Sequence, residues 1–98
     1  MGKRRILTLH LKAEYWHAIF RGEKTEEYRL ANNYWDTRLR GAPYEEIHLK
    51  LGYPKRDDES KVLRRKWVFY PRLITITHPH FGDKPVLVYA IDVTQHVT

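Results

Sequence analysis

The chain has 98 residues, which is close to the common size of one domain, so we expect residues 1–98 to form a single domain. Its 42% hydrophobic and 13% aromatic content can form a packed core, and the absence of cysteine excludes disulfides, thiolate metal sites and a cysteine nucleophile. The 18 lysines and arginines outnumber 12 acidic residues, and the resulting formal charge of +6 favours a polyanionic partner such as a nucleic acid.

The first predicted elements are a strand, a helix and a second strand. Leucines alternate with other residues over positions 5–11, which predicts a strand with one buried face. Aromatic and aliphatic side chains recur at helical spacing over residues 12–21, and Gly22 is typical of a helix end. Residues 24–30 alternate again, which predicts a strand directly after this helix.

A second short helix is expected in the middle of the chain. Asn32 or Asn33 can cap its N-terminus, and Gly41 marks its end. Tyr34 and Trp35 lie on one face of this helix, where we expect them to belong to the core.

The second half of the chain is richer in predicted strands: residues 47–51, 67–70, 73–77 and 86–93. The last two of these should pair antiparallel. Residues 55–66 are polar and charged, which predicts a mobile loop. The sum is an α+β fold of five to six mostly antiparallel strands and two short helices, suited to a small β-barrel.

No export or membrane segment is expected. The charged start of the chain is followed by an apolar run that Thr8, His10 and Lys12 interrupt, unlike a signal peptide. Nothing approaches the roughly 18 consecutive apolar residues of a membrane span. The sequence therefore predicts a cytoplasmic protein without a membrane partner.

Three charged residues, Lys24, Glu27 and Arg29, are concentrated on and beside the second predicted strand, next to the end of the first helix. Charge at this density needs solvent, partners or a ligand. Arg29 offers a planar fork for a phosphate or a base edge, Lys24 a compact cation, and Glu27 an acceptor for a nucleobase amine. The alternative is a structural network of ion pairs on a solvated strand face, where each pair contributes only about 0–1 kcal/mol.

The pattern Gly22-x-Lys24-x-x-Glu27-x-Arg29 resembles the GxKxxExR signature of the ASCH domain, a family of PUA-like β-barrels. The motif follows the first helix and leads into a strand, as it does in that family. Two later segments also resemble the family, Tyr34-Trp35-x-x-Arg38 and Gly52-Tyr53. The resemblance implies a PUA-like barrel and is closest over residues 6–53.

The resemblance also implies a function, the binding of RNA or a modified nucleoside, because ASCH proteins are mostly predicted RNA binders. Some members instead hydrolyse N4-acetylcytidine or cleave RNA. In those hydrolases the motif lysine acts with a threonine or serine three residues later and with a distal glutamate. Here Glu27 occupies that third position, so the catalytic candidates are Lys24 and Glu27 acting on water, and a distal glutamate has no clear counterpart. Thr25 offers a hydroxyl but points away from Lys24 on a strand.

Further candidates for contact with RNA lie outside the motif: Arg38, Tyr53, Arg64, Arg65 and Trp67. The last three belong to a basic stretch followed by aromatic residues, a combination found in proteins that bind single strands. The alternative is a charged edge strand whose aromatic residues belong to the core.

Histidines suggest a metal site only weakly. His78 and His80 can chelate as a His-x-His pair, but no third ligand follows at a predictable spacing, so we expect a turn with no metal and no cofactor. Three functions therefore remain as hypotheses: RNA or nucleoside binding, hydrolysis of such a ligand, and a protein-interaction module with a basic surface.

Overall fold

Six strands and two α-helices make up the chain over residues 5–41 and 43–97, which a computed structural model describes. In chain order they are β1 (Ile6–Leu11), α1 (Ala13–Phe20), β2 (Glu26–Leu30), α2 (Asn33–Leu39), β3 (Glu46–Leu51), β4 (Val62–Lys66), β5 (Arg72–Ile76) and β6 (Val86–Asp92). Short 3-10 turns lie at Glu59–Lys61 and Pro79–Phe81. The predicted α+β class with two short helices is confirmed.

The strands form two three-stranded sheets. The first has the order β1-β3-β4, in which β1 and β3 are parallel and β3 and β4 antiparallel. The second has the order β2-β6-β5 with antiparallel pairing throughout, which confirms the predicted pairing of the last two strands. β1 and β2 are therefore edge strands, each in its own sheet.

Pairing between the strands does not close the two sheets into a barrel over residues 5–41 and 43–97. At one side the sheets are linked through the chain after β6, where Lys66 donates its backbone N–H to the Gln95 carbonyl at 2.6 Å. An isolated bridge between Arg65 and His96 adds to this link. At the other side the edges of β1 and β2 leave a gap, and this gap contains the candidate site.

The core combines side chains of both sheets and both helices, including Leu39 of α2 and Tyr89 and Ile91 of β6. Leu7, Leu9 and Leu11 project inward from β1 because alternate residues of a strand share a face, and each is at most 3% exposed. Trp16 and Ile19 cover them from α1, and the Trp16 indole N–H donates to the Leu49 carbonyl at 2.9 Å. Full burial of each such side chain stabilises the fold by about 1.5–3 kcal/mol. Within the described residues, no helix is long and apolar enough to cross a membrane.

The structure differs from the sequence prediction at two places in the second half. The loop predicted over residues 55–66 is wrong for its last five residues, which form β4. The charged residues obscured the alternating pattern of this strand. Arg64 and Lys66 are exposed as expected, but the inward positions are occupied by Leu63 and by a second charged residue, Arg65. The strand predicted over residues 67–70 is also wrong: its side chains after the first are more than half exposed, and no partner strand supports them.

Candidate functional site

A cleft of about 420 Å³ lies between the edges of β1 and β2. This volume is within the range of small-molecule sites, about 300–1,000 Å³. Its lining includes six aromatic residues, Tyr15, Tyr28, Tyr34, Trp35, Tyr53 and Phe81. Its polar lining includes Thr8, His10, Lys12, Lys24, Glu27, Arg29, Asn32, His78 and His80. The three charged residues of the motif therefore share one concave site with aromatic faces.

The turn after α1 places Lys24 just before the start of β2. Gly22 has a φ of 80°, a conformation that glycine adopts without the cost other residues incur. Its N–H donates to the Ile19 carbonyl at 3.0 Å, and the Lys24 N–H donates to the Ala18 carbonyl at 3.1 Å. Both bonds satisfy carbonyl groups at the helix end, so the glycine of the motif serves the geometry of the turn.

Glu27 is the charged centre of the cleft and is only 5% exposed. Its Oε1 lies 3.6 Å from the Lys24 Nζ, and its Oε2 accepts a hydrogen bond from the Arg29 guanidinium. The side chains of all three residues are less than one-fifth exposed. The alternative of ion pairs on a solvated strand face is therefore wrong, because these side chains are largely buried. With two cations and one anion, the network has one net positive charge beside the cavity.

Arg29 acts as a bridge between the two edge strands. Besides Glu27, its Nη1 donates to the Tyr28 carbonyl at 2.9 Å, and its Nη2 donates to the His10 carbonyl of β1 at 3.1 Å. Its guanidinium carbon also lies 5.4 Å from the centre of the Trp35 ring. These contacts direct three of the five guanidinium donors toward the protein itself. The Lys24 ammonium, which lies 3.6 Å from Glu27, has donors left for a ligand.

Lys24 lies among aromatic faces. Its Nζ is 4.5 Å from the ring centre of Tyr28 and 5.6 Å from that of Tyr15. Burial, with smaller contributions from Glu14 for Tyr15 and from Glu26 for Tyr28, raises the pKa of both phenols. Both hydroxyls therefore stay protonated at neutral pH and can donate hydrogen bonds.

Two exposed aromatic rings border the cleft. Tyr53 is 86% exposed and stacks on His10 with ring centres 4.2 Å apart and planes 16° from parallel. Tyr34 is 55% exposed, and the Arg38 guanidinium lies 3.5 Å from its ring centre. Of the predicted candidates, Tyr53 lines the cleft, whereas Arg38 is not a lining residue and contacts the cleft only through Tyr34.

The prediction that Tyr34 and Trp35 belong to the core is wrong for Tyr34. Helix α2 has seven residues, and among them Leu39 alone is buried, so most of its side chains face solvent or the cleft. Trp35 is half-buried: it packs against the core and lines the cleft. The predicted cap is confirmed, since the Asn32 side chain accepts from the Trp35 N–H at 3.0 Å.

The turn between β5 and β6 was predicted from the sequence, but its place in the wall of the cleft was not. His78, His80 and Phe81 all line the cleft, and the His78 ring centre lies 5.7 Å from that of Tyr15. No spacing in the sequence indicates this approach, because it depends on the pairing of β5 with β6 far from the motif. Over the described ranges, no group of three His, Asp or Glu residues is arranged to hold a metal ion.

The residues of the basic stretch that were predicted to contact RNA, Arg64, Arg65 and Trp67, lie outside the cleft lining, and they differ in their exposure to solvent. Arg64 is exposed and lies 3.1 Å from a carboxylate oxygen of Glu59. Arg65 is 6% exposed, donates to the Val93 carbonyl at 2.9 Å, and has a pKa lowered by burial. Trp67 is half-buried and packs against the core. Of these three candidates, Arg64 alone presents its charge to solvent.

Comparisons of the chain with models of protein families, with curated proteins and with solved structures found no match. The residues of the cleft combine a buried carboxylate, a lysine and exposed aromatic faces in a cavity of about 420 Å³.

Proposed function

We propose that this chain is an ASCH-type, PUA-like domain that binds RNA or a modified nucleoside, with one nucleoside held in the cleft between β1 and β2. The observation that carries the proposal is the grouping of Lys24 and Glu27 with exposed aromatic rings in one cavity of about 420 Å³. Aromatic faces stack on any base, and charged hydrogen-bonding groups recognise its edge. The net charge of +6 attracts the phosphates of a polynucleotide.

Each group has a distinct role in this proposal. The Tyr53 ring, stacked on His10, provides a face for the base, and such stacking contributes about 1–3 kcal/mol per base. The Lys24 ammonium donates to a carbonyl or phosphate oxygen of the ligand. Glu27 accepts from an exocyclic amine, since two carboxylate oxygens have about four acceptor sites and two cations occupy only part of them. Arg29 positions Glu27 and keeps the edges of β1 and β2 together.

The kinship with PUA-like domains is part of the proposal. Two features support it: the motif lies at the junction of α1 and β2, and the two sheets are joined beyond β4 and β6. In this proposal the sheets are the halves of a barrel that is open along β1 and β2. The opening is the ligand cleft.

A hydrolase remains the alternative, because Lys24 and Glu27 both line the cleft and lie 3.6 Å apart. One observation favours binding over hydrolysis. The Thr25 hydroxyl, which a covalent mechanism would need, belongs to an exposed residue that is absent from the cleft lining.

Binding of nucleosides and unstructured oligonucleotides to a Lys24→Met variant tests the proposal. Lys61→Met is the matched control, since Lys61 lies 3.4 Å from Asp58 three residues away and does not line the cleft. Loss of a charge-assisted hydrogen bond of about 1.5–3 kcal/mol predicts at least tenfold weaker binding for Lys24→Met, with Lys61→Met close to wild type.

Two other results would replace the proposal. Equal affinity of the two lysine variants removes the cleft as an RNA site. A folded wild type that binds neither nucleoside nor RNA leaves the protein-interaction alternative. Release of cytidine from N4-acetylcytidine by the wild type, lost in Lys24→Met, makes the chain a hydrolase.

A further inference from the structure

We propose that RNA bound in the cleft continues across the outer face of the sheet β1-β3-β4, so that the ligand is a single strand of several nucleotides rather than a free nucleoside. This inference rests on the proposed function, because it starts from a nucleoside in the cleft. The outer face consists of the side chains that point away from the core: Ile6, Thr8 and His10 of β1, Glu46, His48 and Lys50 of β3, and Val62, Arg64 and Lys66 of β4.

Strand register aligns these residues into rows that start at the cleft. Thr8 pairs with His48 and His48 with Arg64, so the three side chains share one face. In the next row His10 pairs with Lys50. Thr8 and His10 also line the cleft, and neighbouring strands lie about 4.8 Å apart. Arg64 is therefore two strand spacings, about 10 Å, from the cleft wall.

The charge of this face suits a polyanion. Lys50 is half-buried, Lys66 is exposed, and the Arg64 side chain is 51% exposed. The acidic residue within the face, Glu46, is 8% exposed and lies 3.0 Å from the His48 ring. It is thus recessed below the cations, which are the charges that an approaching phosphate meets first.

Glu59 is the acid that competes for Arg64. Their contact of 3.1 Å joins side chains that are 68% and 51% exposed, and exposed pairs of this kind contribute about 0–1 kcal/mol. A phosphate can therefore take the place of Glu59 at little cost. Arginine suits this exchange, because its planar fork binds a phosphate with two hydrogen bonds.

The aromatic pair at the start of the path favours single-stranded RNA over other polyanions. Tyr53 stacks on His10, the residue next to Lys50 in the row, and a base can stack on its open side. A sheet face with an aromatic platform beside cations is a recurring surface for single strands, whose bases are free to stack. An acidic protein would use the cations but not the exposed ring in this way.

Affinity measured as a function of RNA length tests the inference. The probes are a uridine mononucleotide, tetranucleotide and octanucleotide, and the variants are Arg64→Ala and Lys50→Ala. Arg21→Ala is the matched control, since Arg21 is 53% exposed and 2.8 Å from Glu23, away from the cleft lining and the sheet face. We expect wild-type affinity to rise with length.

Loss of one phosphate contact should weaken octanucleotide binding about fivefold near 0.1 M salt and reduce the log–log salt slope by about 0.7. Arg64→Ala and Lys50→Ala should each show this loss, with mononucleotide affinity and Arg21→Ala unchanged. Affinity independent of length, or losses no larger than that of Arg21→Ala, would overturn the inference while leaving the cleft as a nucleoside site. Octanucleotide binding that depends on Arg64, with no mononucleotide binding and no effect of Lys24→Met, would support the face and remove the cleft proposal.

Discussion

Replacing Arg29 by alanine should destabilise the protein strongly, because Arg29 connects two sheets and neutralises a buried carboxylate. Removing one partner of a buried ion pair costs about 3–5 kcal/mol, mostly because the other charge stays buried. Lys24 remains 3.6 Å from the Glu27 carboxylate in the variant, so we expect the lower end, about 3 kcal/mol. The carbonyls of His10 and Tyr28 also lose their donor.

Urea and thermal unfolding measure this effect. For a domain of this size, 1 kcal/mol corresponds to about 4–8 °C in Tm, so Arg29→Ala should lower Tm by about 12–24 °C. The double variant Glu27→Gln, Arg29→Met should be more stable than Arg29→Ala, since it leaves no carboxylate charge in the cleft wall. Arg21→Ala, which removes an exposed arginine beside Glu23, should leave Tm unchanged.

Two outcomes would refute this reasoning. A loss below about 1 kcal/mol in Arg29→Ala would mean that the contacts of Arg29 behave as an exposed salt bridge. A double variant less stable than Arg29→Ala would mean that the buried Glu27 charge is not the source of the cost. Either result would also free Arg29 for the role of a phosphate fork.

Three further predictions concern parts of the fold that support the cleft. Trp16→Phe should cost about 2 kcal/mol in urea unfolding, because the buried Leu49 carbonyl loses its indole donor. Gly22→Ala should cost about 1 kcal/mol at its φ of 80°; an unchanged midpoint would contradict the need for glycine in this turn. A hydrogen bond to Asp36, together with burial, raises the pKa of Tyr89 above 10.0. Its contribution to stability is thus complete below pH 10.0 and is lost as pH rises through the folded-state pKa, so Tyr89→Phe should flatten the alkaline loss of stability seen in wild type.

Local patterns in the sequence were sufficient for the first half of the fold. β1 and α1 were predicted from their apolar periodicity, since alternating leucines and the helical spacing of Trp16 and Ile19 each define one buried face. The pair Asn32 and Asn33 identified the start of α2, and Asn32 provides the capping side chain. These signals are local, because each depends on residues that lie only a few positions apart in the sequence.

Long-range features could not be predicted in this way. Three of the five residues of β4 are charged. The inward guanidinium of Arg65 donates to backbone carbonyls, which no sequence pattern indicates. Residues 67–70 have strand propensity but lack a partner strand, so propensity alone gave a false prediction.

The candidate site was predicted in part. The motif located Lys24, Glu27 and Arg29, and the structure brings them into one cleft. The direction of the Arg29 fork depends on the edge of β1, which the motif does not specify. His78 and its neighbours reach the cleft from a turn that follows the motif by about fifty residues in the sequence.

The central claim, that the cleft between β1 and β2 binds a nucleoside of RNA, is tested most directly by titrating isotope-labelled protein with RNA and following its amide resonances. Nucleoside binding in the cleft should produce saturable shifts over residues 22–29 and at Tyr53, which weaken as salt is raised and disappear in Lys24→Met. Shifts confined to the exposed residues 68–73, or none in folded protein, would contradict it.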